Sequence, residues 1–237
     1  MRGHIPFDED VEKNGRYVYT GPEAPKSSIV ANALQTKMLH SLIANLQFKS
    51  ILDVGCGDGT HTAEFLIFEK SRIVGLDPAV KAIEFAAKKW RHESRLSFTH
   101  LNLESLIQNN EFFDLIVFRG VLHHCDDPVQ VLLDASRLSN TIVILEPNGL
   151  NPILKLIEKV SPYHRAHSEK SFTRKRISSW LGKCGFEVEA YSLGLLVPYF
   201  FPAFLITPML KFEPVLHKIP ILAKFLFGTQ VLLSKRV

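Results

Sequence analysis

Cysteine is scarce in this 237-residue chain, and the three present, Cys56, Cys125 and Cys184, are an odd number without metal-ligand spacing. That argues against a disulfide scaffold and for a reduced compartment. Internal repeats and low-complexity tracts are absent, as are the compositions of disordered or collagen-like chains. The opening segment, Met1 to Lys13, is polar and acidic, with no apolar signal core, so a cytoplasmic location is expected. Acidic residues are few in the C-terminal third: 5 against 13 basic residues from Asn151 onward, compared with 19 against 15 before it. Such a bias suits an anionic substrate, a membrane surface or nucleic acid, or merely a solvated face. Long uninterrupted apolar runs are also missing. Ala190 to Leu210 carries no charge and is long enough to span a bilayer, but Pro198, Pro202 and Pro208 break it. An interfacial or lid-like insert is expected there, in place of a continuous helix.

What remains is an ordinary globular mixture, 46% hydrophobic and 22% charged, of a length for one domain. Residues 1–28 read as an N-terminal arm rich in turns, and 29–237 as the domain, with Ser27 or Ser28 capping its first helix. Short runs apolar on both faces follow: Ser50–Val54, Arg72–Leu76, Leu96–His100, Asp114–Phe118 and Thr141–Leu145. Helical segments alternate with them, at Ala79–Trp90 and after Asp127-Pro128. This order predicts a doubly wound α/β fold with a mostly parallel sheet. Beyond Asn151 come an amphipathic stretch, Ile153–Val160, a basic loop, a helix over Ile177–Lys183, and two last strands, Glu187–Tyr191 and Thr229–Leu233, around an apolar insert at 193–228.

The first strand ends in ILDVGCGDGT, where Gly55, Gly57 and Gly59 let the backbone approach a ligand and a following helix would offer free N–H groups. The spacing is not that of a dinucleotide fingerprint, which argues against NAD. Asp53, two residues before the first glycine, is a poor neighbour for a pyrophosphate and a good one for an ammonium or sulfonium group. Asp77, at the end of the second strand, is placed to accept from both hydroxyls of a ribose.

With these residues the chain resembles the class I S-adenosylmethionine-dependent methyltransferases. ILDVGCGDGT is similar to that family's first motif, IVGLDPA to its acidic second strand, FDLIVFRGVLHHCDDP to its fourth-strand motif and TIVILEPNG to its fifth strand. The LHHxxDP form resembles the small-molecule branch that includes ubiquinone and menaquinone methyltransferases. The resemblance implies a seven-stranded sheet and S-adenosylmethionine as cofactor. It assigns Asp53, Gly55 and Gly57 to the methionine part, Asp77 to the ribose, and Pro78 to the neighbourhood of the adenine, and Cys56 and Thr60 of the same loop are counted with the cofactor site. Asn102 stands where many relatives have an Asp accepting from the adenine amino group, its amide oxygen still able to accept, and Leu103 would flank the ring. Arg119 replaces a smaller residue and is counted with the cofactor site. Asp77→Ala is then expected to abolish cofactor binding with near-normal stability.

Methyl transfer needs alignment and, for a hydroxyl or acidic carbon, a base. His124 is the first candidate and His123 the second. The run His123 to Asp127 looks superficially like a metal site, but consecutive side chains diverge and no metal is expected. Tyr163, His164, Arg165 and His167, in the loop after the fifth strand, are candidate acceptor contacts. Phenylalanines interleaved with Lys211, Lys218 and Lys224 in the insert fit an anionic membrane boundary, a homodimer interface or a cap on the domain. A small, hydrophobic, lipid-, quinone- or polyketide-like acceptor is expected and nucleic acid is not. The alternative is a non-catalytic protein of the same fold that uses the insert for membrane or partner binding.

Overall fold

In the computed structural model, residues 19–20, 23–161, 170–199 and 201–237 are described. Helix α1 (Lys26–Ile43) starts before the predicted cap. Pro25 occupies the N-cap, and Ser27 and Ser28 are buried inside the first turn. Strand β1 (Ser50–Val54) leads through the glycine loop into the helix expected there, which is a six-residue 3₁₀ helix, Thr62–Ile67. Then follow β2 (Arg72–Leu76), α2 (Val80–Lys89), β3 (Leu96–Thr99), α3 (Leu103–Gln108) and β4 (Leu115–Arg119). A 3₁₀ turn, Leu122–His124, precedes α4 (Pro128–Leu138), whose first N–H groups, at Val129 and Gln130, donate to the Asp127 carboxylate as the sequence predicts. Next come β5 (Thr141–Pro147), α5 (Pro152–Val160), α6 (Arg174–Lys183) and β6 (Phe186–Gly194). The chain ends with α7 (Ala203–His217), α8 (Pro220–Leu226) and β7 (Thr229–Arg236).

The seven strands form one sheet in the order β3-β2-β1-β4-β5-β7-β6. β1 to β5 are mutually parallel and β7 runs antiparallel to both its neighbours. Alternation along β4 shows why the predicted strands had to be apolar on both faces. Ile116 and Phe118 pack on one side with Leu132 of α4 and Trp180 of α6, and Leu115 and Val117 on the other with Leu39 and Ile43 of α1. The strand order reverses between β1 and β4. That reversal opens a crevice at the C-terminal ends of the parallel strands.

β6 runs through Gly194, past a register shift between Val188 and Ala190, so the segment joining it to β7 begins at Leu195. The predicted breakage by proline is only partly seen: Pro208 and Pro214 lie inside α7, and Pro202 is its N-cap. The two internal rings forgo backbone bonds to the carbonyls four residues back. The segment is held from below instead. The Glu213 carboxylate accepts from Leu195 N and Leu196 N, at 3.1 and 3.3 Å, where Leu195 has a φ of +72°. The Asn148 amide donates to the Lys224 and Phe227 carbonyls, at 3.0 and 2.8 Å, and that of Asn151 to Leu226 O at 2.9 Å. Leu196, Leu216, Ala223 and Phe227 form a small core of their own beneath it.

Asn148 is buried and its oxygen also accepts from Leu150 N. Asn148→Ala therefore orphans two carbonyls and an N–H group and should cost about 2–4 kcal/mol. Urea unfolding checks this, as a lower midpoint at unchanged slope.

Candidate functional site

The glycine loop closes over the crevice by bonding to the end of β2. Gly55 N and Cys56 N both donate to Leu76 O, at 2.7 and 3.1 Å. Gly57 N donates to the Asp77 carboxylate at 2.9 Å. Gly55, Gly57 and Gly59 all have positive φ, between +54° and +74°. A side chain at Gly55 would also collide with Val121, its Cβ falling 2.4 Å from a valine methyl. The loop is thus packed against the turn that carries His123 and His124.

Three buried carboxylates surround this loop: Asp53, Asp58 and Asp77. Asp53 accepts from Thr62 Oγ1 at 2.7 Å, and burial raises its carboxyl to about 7. Asp58 accepts from Thr20 Oγ1 at 2.8 Å and from Thr60 N at 3.0 Å, so the chain ahead of α1 reaches the loop. Asp77 holds Gly57 N with one oxygen and Ala79 N with the other, at 2.8 Å. The N–H groups of Gly57 and Thr60, which a phosphate would need, are already bonded to carboxylates. A pyrophosphate would meet both lost donors and like charge, whereas a cation meets three acids.

The other predicted cofactor residues divide. Pro78 is half-buried beside Asp77, and Leu103 is buried at the start of α3. The Cys56 thiol is buried beside Gly75, and burial pushes it well up. Thr60 accepts from Lys89 Nζ at 2.7 Å. The Asn102 oxygen is taken: it caps α3, accepting from Ser105 N and Ser105 Oγ at 2.8 and 2.9 Å, so the expectation that it accepts from an adenine amino group fails. Arg119 is turned toward α1, donating to Glu64 Oε2 at 2.7 Å, Thr36 Oγ1 at 3.1 Å and Asn32 O at 3.1 Å. Burial alone would raise the Glu64 carboxyl, but His61, Arg119 and Thr36 outweigh it and hold it at about 2. Arg119 is therefore a brace between β4, the first 3₁₀ helix and α1. Tyr163, His164, Arg165 and His167 lie outside the described residues.

Across the crevice, Glu146 of β5 is fully buried and accepts from Val121 N, Leu122 N and His123 Nδ1, at 2.9, 2.7 and 2.7 Å. His124 lies against His123, with ring centroids 4.0 Å apart. The candidate pair is brought together, and the Glu146 carboxylate orients His123. Sequence reasoning missed Glu146, Thr62, Glu64 and Thr20. The one available signal was an acid, Glu146, closing the apolar run TIVIL.

The expectation of near-normal stability without Asp77 does not survive this geometry. Asp77→Ala strands two backbone N–H groups and should lower stability by about 2 kcal/mol or more, read from urea midpoints.

Residues 51–141 match the family model described as "Methyltransferase domain". A tRNA U34 carboxymethyltransferase of Campylobacter fetus is 36% identical over 89 residues, 37% of this chain and 32% of that protein. The chain thus spans about a third of the length of that curated relative. Among solved structures, magnesium protoporphyrin IX methyltransferase from Synechocystis PCC 6803, with bound SAH, superposes with a TM-score of 0.69 at 16% identity, covering 99% of this chain and 98% of that one. The [4+2]-cyclase SpnF superposes with a TM-score of 0.66 at 16% identity, covering 98% and 92%. Neighbours that include a cyclase show that this fold does not by itself set the reaction. The matched segment, which holds the glycine loop, Asp77 and the two histidines, is similar to a methyltransferase domain, and the chain as a whole has the fold of the solved S-adenosylmethionine-dependent methyltransferases.

Proposed function

We propose that the protein transfers a methyl group from S-adenosylmethionine to a small, hydrophobic acceptor. The observation that carries this reading is the ring of buried acids, Asp53, Asp58 and Asp77, around a loop whose Gly57 and Thr60 N–H groups are already bonded to carboxylates. That donor set fits a cationic nucleoside and not a pyrophosphate. Asp53 and the backbone of Gly55 and Gly57 would hold the methionine part, Asp77 the ribose, with Pro78 and Leu103 near the base. Bound there, S-adenosylmethionine supplies a methyl group already activated on a positively charged sulfur.

The chain's own residues align the acceptor and receive its proton. With Nδ1–H of His123 donating to Glu146, the basic nitrogen of the imidazole is Nε2. The buried carboxylate also stabilises the imidazolium that forms, as in other histidine–carboxylate pairs. His123, ranked behind His124 on sequence alone, is thus the better-supported base. The acceptor is taken as apolar because the helices after β5 and β6 rise from this same edge of the sheet with exposed hydrophobic side chains.

Calorimetric titration of the full chain with S-adenosylmethionine, S-adenosylhomocysteine and NAD tests the reading. Saturable binding of the first two and none of NAD is expected. No binding by folded protein would favour the non-catalytic alternative. Asp53 adds a pH signature. Below about pH 7 its carboxylate takes up a proton and loses its attraction for the ligand's ammonium group. Affinity should fall about tenfold from about pH 8 to about pH 6, while 5′-methylthioadenosine, which has no ammonium, shows little change. Asp53→Asn should remove the difference between the two ligands' profiles. His123→Gln should leave cofactor affinity within about twofold and slow transfer to hydroxyl acceptors by about a hundredfold or more, followed as S-adenosylhomocysteine release.

A further inference from the structure

Helices α5, α7 and α8 share one edge of the fold. β5 is parallel to β4 and ends at Pro147, and Thr229, where β7 begins, pairs with both Pro147 and Gly194. Helices α5, α7 and α8 therefore all connect at the C-terminal edge of the parallel strands, the edge of the glycine loop. The Asn151–Leu226 bond joins the start of α5 to the end of α8.

These helices keep much of their apolar surface in water. Phe204 is 78% and Ile221 74% exposed, and Phe212 and Phe225 are also exposed. α5 buries no residue at all, and its Ile153, Leu156 and Val160 face solvent. So much clustered apolar surface on one edge marks a contact surface.

Charge decides the partner. Between Leu195 and Gly228 the sole acid is Glu213, and its carboxylate is turned inward onto Leu195 N and Leu196 N. Lys211, Lys218 and Lys224 are exposed among the apolar side chains. On α5, Glu158 is occupied by Ser171 and Lys155, while Lys159 is exposed. The face is apolar and cationic, with its acids withdrawn. A two-fold contact with a second copy would set this basic patch against itself. α7, with 15 residues, is about 22 Å long and falls short of the ~30 Å hydrocarbon layer. Among the described residues no helix is long and apolar enough to cross a membrane.

We propose that α5, α7 and α8 dock the protein on the surface of an anionic lipid bilayer. Phe204 and Ile221 enter the headgroup boundary, and the three lysines of α7, α8 and the turn between them reach lipid phosphates along their alkyl stems. The crevice edge then faces the membrane. This inference does not rest on the cofactor reading, and its test contains no nucleotide.

The test is flotation of the purified full chain with vesicles of phosphatidylcholine alone, or of equal parts phosphatidylcholine and phosphatidylglycerol, alongside analytical ultracentrifugation without lipid. The protein should float with the anionic vesicles and be released by high salt. Phe204→Asp combined with Ile221→Asp, both at exposed positions and with circular dichroism unchanged, should cut the bound fraction about tenfold or more. Lys211→Gln, Lys218→Gln and Lys224→Gln together should reduce binding to anionic vesicles by a similar factor. Failure to float with either vesicle, equal flotation with both, or a lipid-free dimer that the Phe204/Ile221 variant dissociates would each overturn the proposal.

Discussion

The bond from Gly57 N to the Asp77 carboxylate is the constraint on which the crevice depends. It ties the loop after β1 to the residue after β2, while the other Asp77 oxygen fixes Ala79 N at the entry to α2. A glycine-rich loop with three positive-φ residues has many conformations open to it in the unfolded chain. One buried acceptor bridging two strand ends selects among them. Because that acceptor is charged and buried, it remains stable only with donors on both oxygens. The loop's shape and the negative character of the site are thus consequences of one side chain.

Glu146 does on β5 what Asp77 does on β2. Its three donors come from Val121, Leu122 and His123, all in the turn leaving β4. At the strand-order reversal between β1 and β4, no crossover helix among the described residues holds these turns. Buried carboxylates on the flanking strands hold them instead. Arg119 works in the same manner at the end of β4, locking the first 3₁₀ helix and α1 through Glu64, Thr36 and Asn32. Each brace joins elements remote in sequence.

That remoteness explains what could be read beforehand. The strands were legible because burial on both faces demands runs such as DLIVF and TIVIL, and Asp127-Pro128 because a cap and its helix are adjacent. Asp53, Gly57 and Asp77 were legible through their spacing. Asn102 was misjudged because its competing partner, Ser105, belongs to a six-residue helix too short to leave a periodic signal. The pairing of Glu146 with His123, 23 positions away, and of Arg119 with Glu64, 55 away, depends on which strands are neighbours. Local pattern carries no such information. Pro208, inside α7, was likewise read as a break, because the tethers that hold this helix, Glu213 and Asn148, act from outside the apolar run.

The charged methyl donor and the apolar acceptor proposed above need opposite surroundings, and this sheet edge offers two that differ in that way. At β1 and β2 the crevice is walled by buried acids. At β5 and β6 the connections leave as helices rich in exposed hydrophobic groups. The turn after β4 stands between the two halves, packed on the glycine loop through Val121 and on β5 through Glu146. On the function proposed above, its histidine pair lies where a cation arriving on one side would meet an apolar molecule on the other. Strand order imposes part of this division: the acids around the glycine loop come from the ends of β1 and β2, on one side of the reversal, and the apolar helices connect strands on the other, where the single buried acid of the crevice, Glu146, is satisfied by three donors from the turn after β4. Moving either set across the reversal would put buried charge against apolar side chains, at a cost of several kcal/mol per group.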